Sequence, residues 1–421
     1  MRNPLPLSQF TRALQPGKSL EDQNAWHLYV EVFWWGILFG IAQAFLPVFT
    51  IRLGGTDTHV GLLSALPALV IALFAIPGSR LVERETKPLS TLLISVAFVR
   101  IGYLAIGIAP LLLFSNRADF VVILFGVLSI GTAIATVAFT VMFGRAVRPE
   151  NRPRVVSTRN VLVGIAGTGI AYLGGLFLEL VLFPYNYAIL FGLGFIASMI
   201  GLYYLSRIRL SPADESRKKD AEATPRGVRE FIAMLRAQGA FTRFSISQFI
   251  FHWGVFFAVP LYSIYWVRNL NASEGWIGLY RMVESATTII AFPLWARFTT
   301  RRGNRLVLVV SSAGMLLYNV FTPFIPSVEW LLPLSVWGGA FSSGFALALF
   351  NELLRVSPEQ NRASFVAAFT AAINFAAFVS PLVSTSLIPF FGIHAILFVG
   401  AAFRLLGVIS IWRNFSGQRA G

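Results

Sequence analysis

Residues 51–63 read IRLGGTDTHVGLL, and residues 267–280 read VRNLNASEGWIGLY. In both stretches an arginine closes a long apolar run, a short polar turn follows, and a second apolar run begins. Arg52 matches Arg268, Thr56-Asp57 matches Ser273-Glu274, and Val60-Gly61-Leu62 matches Ile277-Gly278-Leu279, with one residue inserted in the second copy. The two copies occupy the same place in two halves of the chain, so the repeat sets the architecture before any single element does.

Outward from the two hairpins, the chain is a succession of apolar runs. It is 56% hydrophobic and 13% charged, against about 25% charged residues in a soluble domain. Stretches of roughly 18–25 residues with few charges predict membrane-spanning helices. Twelve such runs lie near 27–51, 60–80, 89–114, 119–143, 156–182, 185–206, 244–267, 276–296, 306–325, 328–351, 363–390 and 392–412. The expected fold is an all-α integral membrane protein with twelve transmembrane helices in two pseudo-symmetric six-helix bundles. An N-terminal segment, 1–26, precedes the first bundle, 27–206. A linker, 207–243, leads to the second bundle, 244–412, and 413–421 form a tail. Within the linker Val228, Phe231, Ile232 and Leu235 follow Thr224-Pro225 at helical spacing, which predicts a short amphipathic helix lying on the membrane surface.

The net charge of +15 follows membrane topology rather than nucleic-acid binding. Loops 80–88, 145–159, 207–243, 297–305 and 355–362 carry 23 Lys and Arg residues, while the opposite loops carry only Arg52, Arg117 and Arg268. Basic residues concentrate on the cytoplasmic side, so both termini are expected there, in a multi-pass protein of the cell's inner membrane. Ser19-x-x-Asp22 reads as the cap of the first helix, and Asp57 or Thr56 as the cap of the second.

Two further junctions carry the repeat. Residues 78–90, GSRLVERETKPLS, correspond to residues 296–305, ARFTTRRGNR; residues 145–160, RAVRPENRPRVVSTRN, correspond to residues 355–369, RVSPEQNRASFVAAF. Here the chain resembles the major facilitator superfamily, whose second and third helices are joined by a loop of the form G-x-x-x-[DE]-R-x-G-[RK]-[RK]. The resemblance implies that Gly78, Glu83, Arg84 and Lys87, with Arg301 and Arg302 in the second half, form a cytoplasmic gate. It extends that role to Arg145, Arg152, Arg355 and Arg362. Small residues in GIAGTGIAYLGG, residues 164–175, allow close helix crossing. The exporters' proline is missing from that run and Val127 stands where their fourth helix has arginine, so the subfamily stays open.

Charges inside the apolar runs are costly and point to function or to pairing. Glu284 lies nearest the middle of the bilayer, with Arg281 three residues earlier on the same helical face. It is the first candidate for coupled protonation. Glu31 and His252 are further candidates, Glu31 also reading as a carboxylate that reaches the interface and His252 as a hydrogen-bonded core residue. Arg100 reads as half of an ion pair or as a substrate contact. Arg404 is expected to snorkel to the interface.

No Walker loop and no GxSxG elbow occurs, so ATP hydrolysis and serine-hydrolase chemistry have no sequence support. Without cysteine and with four scattered histidines, neither a metal centre nor a cofactor is expected. In the resembled superfamily the first, fourth, seventh and tenth helices line the cavity. That implies Trp35 and Gln43, Thr132 and Thr136, Trp253 and Tyr262, and Trp337 and Ser343 as substrate contacts. Asn374 joins them as a contact to substrate or to another helix. These surfaces are aromatic and hydroxylic, which predicts a monomeric carrier of a small neutral or amphipathic organic solute, working by alternating access in the lipid bilayer. Proton coupling is expected, with export favoured over uptake. The alternatives are a proton-coupled uptake symporter of a sugar or metabolite and a non-transporting scaffold or sensor.

Overall fold

The structure is a computed structural model, and it describes residues 19–84, 88–113, 115–210, 238–358 and 362–416. The proposed surface helix at 224–235 lies outside these residues. Among the described residues the regular structure is helical, without strands.

Among the described residues ten α-helices precede a long final stretch: α1 Leu20–Arg52, α2 Asp57–Arg84, α3 Pro88–Leu112, α4 Arg117–Ala146, α5 Arg152–Leu180, α6 Tyr185–Ser206, α7 Gly239–Ile264, α8 Glu274–Arg302, α9 Asn304–Phe321 and α10 Leu331–Val356. The final stretch, Arg362–Ser416, is two helices joined at Gly392, whose φ of 73° suits a residue without Cβ. They are α11, 362–391, and α12, 393–416. Among the described residues nine helical stretches are long and apolar enough to cross a membrane, the 51-residue run Ser364–Asn414 counting as one; Asp57–Leu73 is a shorter apolar helix.

Local chemistry explains the helix ends. At α1 the Ser19 hydroxyl accepts from the Asp22 amide at 3.1 Å and donates to the Asp22 carboxylate at 2.7 Å. The expected cap is therefore present. At α2 the Thr56 amide donates to His59 Nδ1 at 2.9 Å and the Thr56 hydroxyl meets the same nitrogen at 2.7 Å, while the Asp57 carboxylate is taken by Arg268 at 2.5 Å. Ser273 caps α8 by accepting from the Trp276 amide at 3.4 Å. Glu274 in its first turn and Arg301 and Arg302 in its last complement the helix dipole.

The described residues fall into two compact units, and Pro47–Ala75 belong with the later helices rather than with the rest of the first half. The facing ends of α1 and α2 at the first hairpin thus cluster with the later helices. Ion pairs hold them: Arg52 binds Glu274 at 2.9 and 3.3 Å, and Arg268 binds Asp57 and the Gly55 carbonyl. Gly61 lies against Pro381 and Thr385 of α11.

In the first unit, Leu28 and Val32 of α1 pack with Leu92, Met142, Leu162 and Leu205 of α3 to α6. The small-residue run of α5 meets α1 so closely that a Cβ on Gly40 would lie 2.7 Å from the Gly167 Cα. In the second unit, Phe241, Phe251, Val307, Phe345, Phe365 and Ile411 form the equivalent core.

Candidate functional site

The second unit builds a polar cluster on α8, a 29-residue helix that is not among the nine apolar stretches. Tyr280, Glu284 and Thr288 are spaced by four along α8 and share one face. The Glu284 carboxylate accepts from Arg281 Nη1 at 3.0 Å and from the Tyr280 hydroxyl at 3.3 Å. The Tyr280 hydroxyl also meets that of Tyr318, on α9, at 2.8 Å. The Arg281 guanidinium faces the rings of Trp266 at 6.0 Å and Tyr280 at 5.7 Å, a cation–π arrangement. Glu284 keeps 26% and Arg281 31% of its side chain exposed. Arg281 and Tyr280 thus hold a partly open carboxylate in position.

The aromatic wall continues. Trp266 packs against both Tyr262 and Tyr280, and Tyr262 meets Tyr318 edge to face. The Tyr262 hydroxyl donates to Asn319 at 2.7 Å and accepts from Arg404 Nη2 at 3.0 Å. Arg404 is buried, at 3% exposure, and it also donates to the carbonyls of Met315 at 2.6 Å and Gly254 at 3.3 Å. The expected snorkelling does not occur. Its helix runs on to Ser416, and three neutral oxygens deep in the unit accept from the guanidinium.

The first unit buries a second charge cluster. Glu31 is 5% exposed and does not reach the interface. One of its oxygens accepts from Arg100 Nη2 at 3.1 Å and the other from Arg159 Nη2 at 3.2 Å. Arg100 also donates to the Ser198 carbonyl of α6 and lies 5.4 Å from the Trp35 ring. Arg100 is thus an ion-pair residue. It spans from α3 to α1 and α6, whereas Arg404 spans from α12 to α7 and α9.

The Major Facilitator Superfamily model matches residues 32–264 and 244–417. The chain belongs to the major facilitator superfamily. Its fold is shared by solved members at low identity. The nucleoside transporter NupG is 12% identical, with a TM-score of 0.72, covering 94% of this chain and 99% of its own. A D-xylose-proton symporter is 14% identical, with a TM-score of 0.69, covering 94% and 98%. A POT family transporter in complex with a thioalcohol-conjugated peptide is 14% identical, with a TM-score of 0.69, covering 91% and 94%. These relatives are transporters, not enzymes. Comparison with curated proteins gave no sequence match.

Within this major facilitator chain the other predicted residues divide. Tyr262 joins the Glu284 cluster through Tyr318. His252 is buried with its Nδ1 on the Gln248 carbonyl at 2.8 Å, between the rings of Phe251, Phe256 and Phe345. Trp253 packs on Phe249 and Phe403. Trp337 donates to the Gly314 carbonyl at 2.8 Å. Ser343 is buried and bonded to Ala340, and Asn374 donates to the Thr370 carbonyl. Gln43, Thr132 and Thr136 are exposed, the two threonines donating to carbonyls four residues back.

Of the gate residues, Arg152 closes the end of α4 through the carbonyls of Val147 and Gly144, and Arg355 pairs with Glu352. Arg145 is half-buried, while Arg301 and Arg302 are exposed. Gly78, Glu83, Arg84 and Arg362 lie on described helical backbone without described side chains, and Lys87 lies outside the described residues. Sequence reasoning missed Arg159, Tyr280, Tyr318 and Asn319 as site residues. Arg159 was readable: α5 begins at Arg152, which sets it two turns inside the helix and not in the preceding loop.

Proposed function

We propose that this chain is a secondary active transporter that moves a small neutral or amphipathic organic solute by alternating access, coupled to protons through Glu284. The observation that carries the reading is the Glu284 carboxylate. It is held by Arg281 and Tyr280 in a membrane-length helix, yet a quarter of it stays open. An intramembrane charge with these partners is expensive unless it works. Twelve crossings, both termini in the cytoplasm and an inner-membrane location complete the reading, supported by the bias of Lys and Arg among the loops.

Export remains the preferred direction. Uptake symport is the second reading, favoured by the fold shared with a D-xylose-proton symporter. The relatives that carry nucleosides, peptides and a sugar define the first test panel.

The test is solute flux in proteoliposomes under an imposed pH gradient, comparing wild type with Glu284→Gln. Flux driven by the gradient in wild type and lost in the variant is the expected result. Flux whose pH dependence survives Glu284→Gln removes that residue from the coupling role. A panel in which nothing moves favours a non-transporting scaffold.

A further inference from the structure

The first unit holds one carboxylate between two guanidiniums. Glu31 pairs with both Arg100 and Arg159, and among the described residues neither arginine has another acidic partner. The cluster therefore carries a surplus positive charge inside a membrane-length bundle. Such a charge is strongly unfavourable unless an anion completes it.

Its donors are incomplete as well. Arg100 Nε and Arg159 Nη1 are buried without a hydrogen-bond partner among the described residues, and a buried unpaired donor carries a penalty. Arg404 is a buried cation whose donors reach three oxygens, and Arg281 leaves only its Nε without a partner among the described residues. The Glu31 cluster leaves two such donors, one on each arginine.

Exposure shows where an anion would enter. Counted over the side chain alone, Arg100 is 1% exposed and Glu31 7%, whereas Arg159 keeps 15%. The Phe139 ring lies 4.3 Å from the Arg159 guanidinium, and Trp35 stands beside Arg100. An occupant would place one charge on a planar fork that suits a carboxylate, with its apolar part against aromatic rings.

We propose that Arg159, sharing Glu31 with Arg100, is the subsite for a single carboxylate on the transported solute. This rests on the transporter reading and narrows its amphipathic solute to a monoanion. Glu31 competes with the solute for Arg159, so the two residues have opposite effects on binding.

The test is binding to the full-length protein in uncharged detergent. The probes are benzoate, phenylacetate and hexanoate, each against its primary amide, read as saturable thermal shifts. At least one acid is expected to stabilise wild type and its amide to fail. Arg159→Gln should abolish the shift, and Arg159→Lys should retain part of it. Glu31→Gln should tighten binding by about tenfold, equivalent to removing roughly 1.4 kcal/mol of competition.

Equal shifts from acid and amide, no shift from any acid, or binding that survives Arg159→Gln overturns the proposal. Competition by phosphatidylglycerol added to the micelles makes the occupant a lipid headgroup and overturns the solute assignment. Should Arg159→Gln fail to fold, weaker or unchanged binding in Glu31→Gln overturns it independently. Acid-specific binding without flux in proteoliposomes supports the subsite while removing the transporter reading.

Discussion

Arg52 and Glu274 form a two-point ion pair across 222 residues of chain, and their repeat counterparts Arg268 and Asp57 form another. Each arginine belongs to one hairpin and its acid to the other. The four charges that revealed the repeat in the sequence bind crosswise in the structure. An exposed pair contributes about 0.2–1 kcal/mol, too little to hold the fold but enough to bias an equilibrium between conformers.

Neutralising both acids, Asp57→Asn with Glu274→Gln, should loosen the hairpins. The chain has no cysteine, so a single cysteine at buried Val48 reports the change. Its maleimide labelling in membranes should accelerate several-fold in the double variant. An unchanged rate would show that the crosswise pairs do not restrain these helix ends.

Tyr280 and Tyr318 share a hydrogen bond at 2.8 Å. Tyr280→Phe removes the Tyr318 partner, whereas Tyr318→Phe leaves the Tyr280 hydroxyl on Glu284; each should cost about 1 kcal/mol, the first more than the second. Because they are partners, the double variant should lose less than the two single losses added together. Thermal unfolding in detergent completes the cycle, and strict additivity would mean that the hydroxyls act separately.

Arg404→Ala leaves the carbonyls of Gly254 and Met315 and the Tyr262 hydroxyl without their donor. A loss of about 3 kcal/mol is expected, with Arg404→Lys intermediate because an ammonium cannot reproduce the fork. An arginine that snorkelled would tolerate alanine with little change in apparent Tm, so the measurement separates the two placements directly.

Glu352 is fully buried at the end of α10, bound by Arg355 and by Asn304 Nδ2 at 3.3 Å. Arg355 is 47% exposed, which discounts the charge part of the pair. Glu352→Gln should therefore cost about 1–2 kcal/mol. Wild-type thermal stability in this variant would assign the contacts no net role.

The sequence revealed what is periodic or local. Both hairpins, the small-residue crossing on α5 and the Arg281–Glu284 spacing follow from neighbours a few residues apart or from the repeat itself. It concealed what is assembled from several helices. Glu31 meets Arg100 and Arg159 across 69 and 128 residues, and no spacing rule connects three such positions. Arg404 was misplaced for a related reason: its acceptors are mostly backbone carbonyls, which every residue carries and no side-chain pattern marks. Tyr318 carried no signal until α9 was seen beside Tyr280.

The opposed reach of Arg100 and Arg404 bears on how a duplicated chain can diverge. Arg100 leaves the third helix of its half for the sixth, whereas Arg404 leaves the sixth for the third. Grafting α12 in place of α6 would set two guanidiniums against one seam, and grafting α6 in place of α12 would leave that seam with none. The halves have become locked into complementary spellings of one joint, so exchanging α6 and α12 between them is closed.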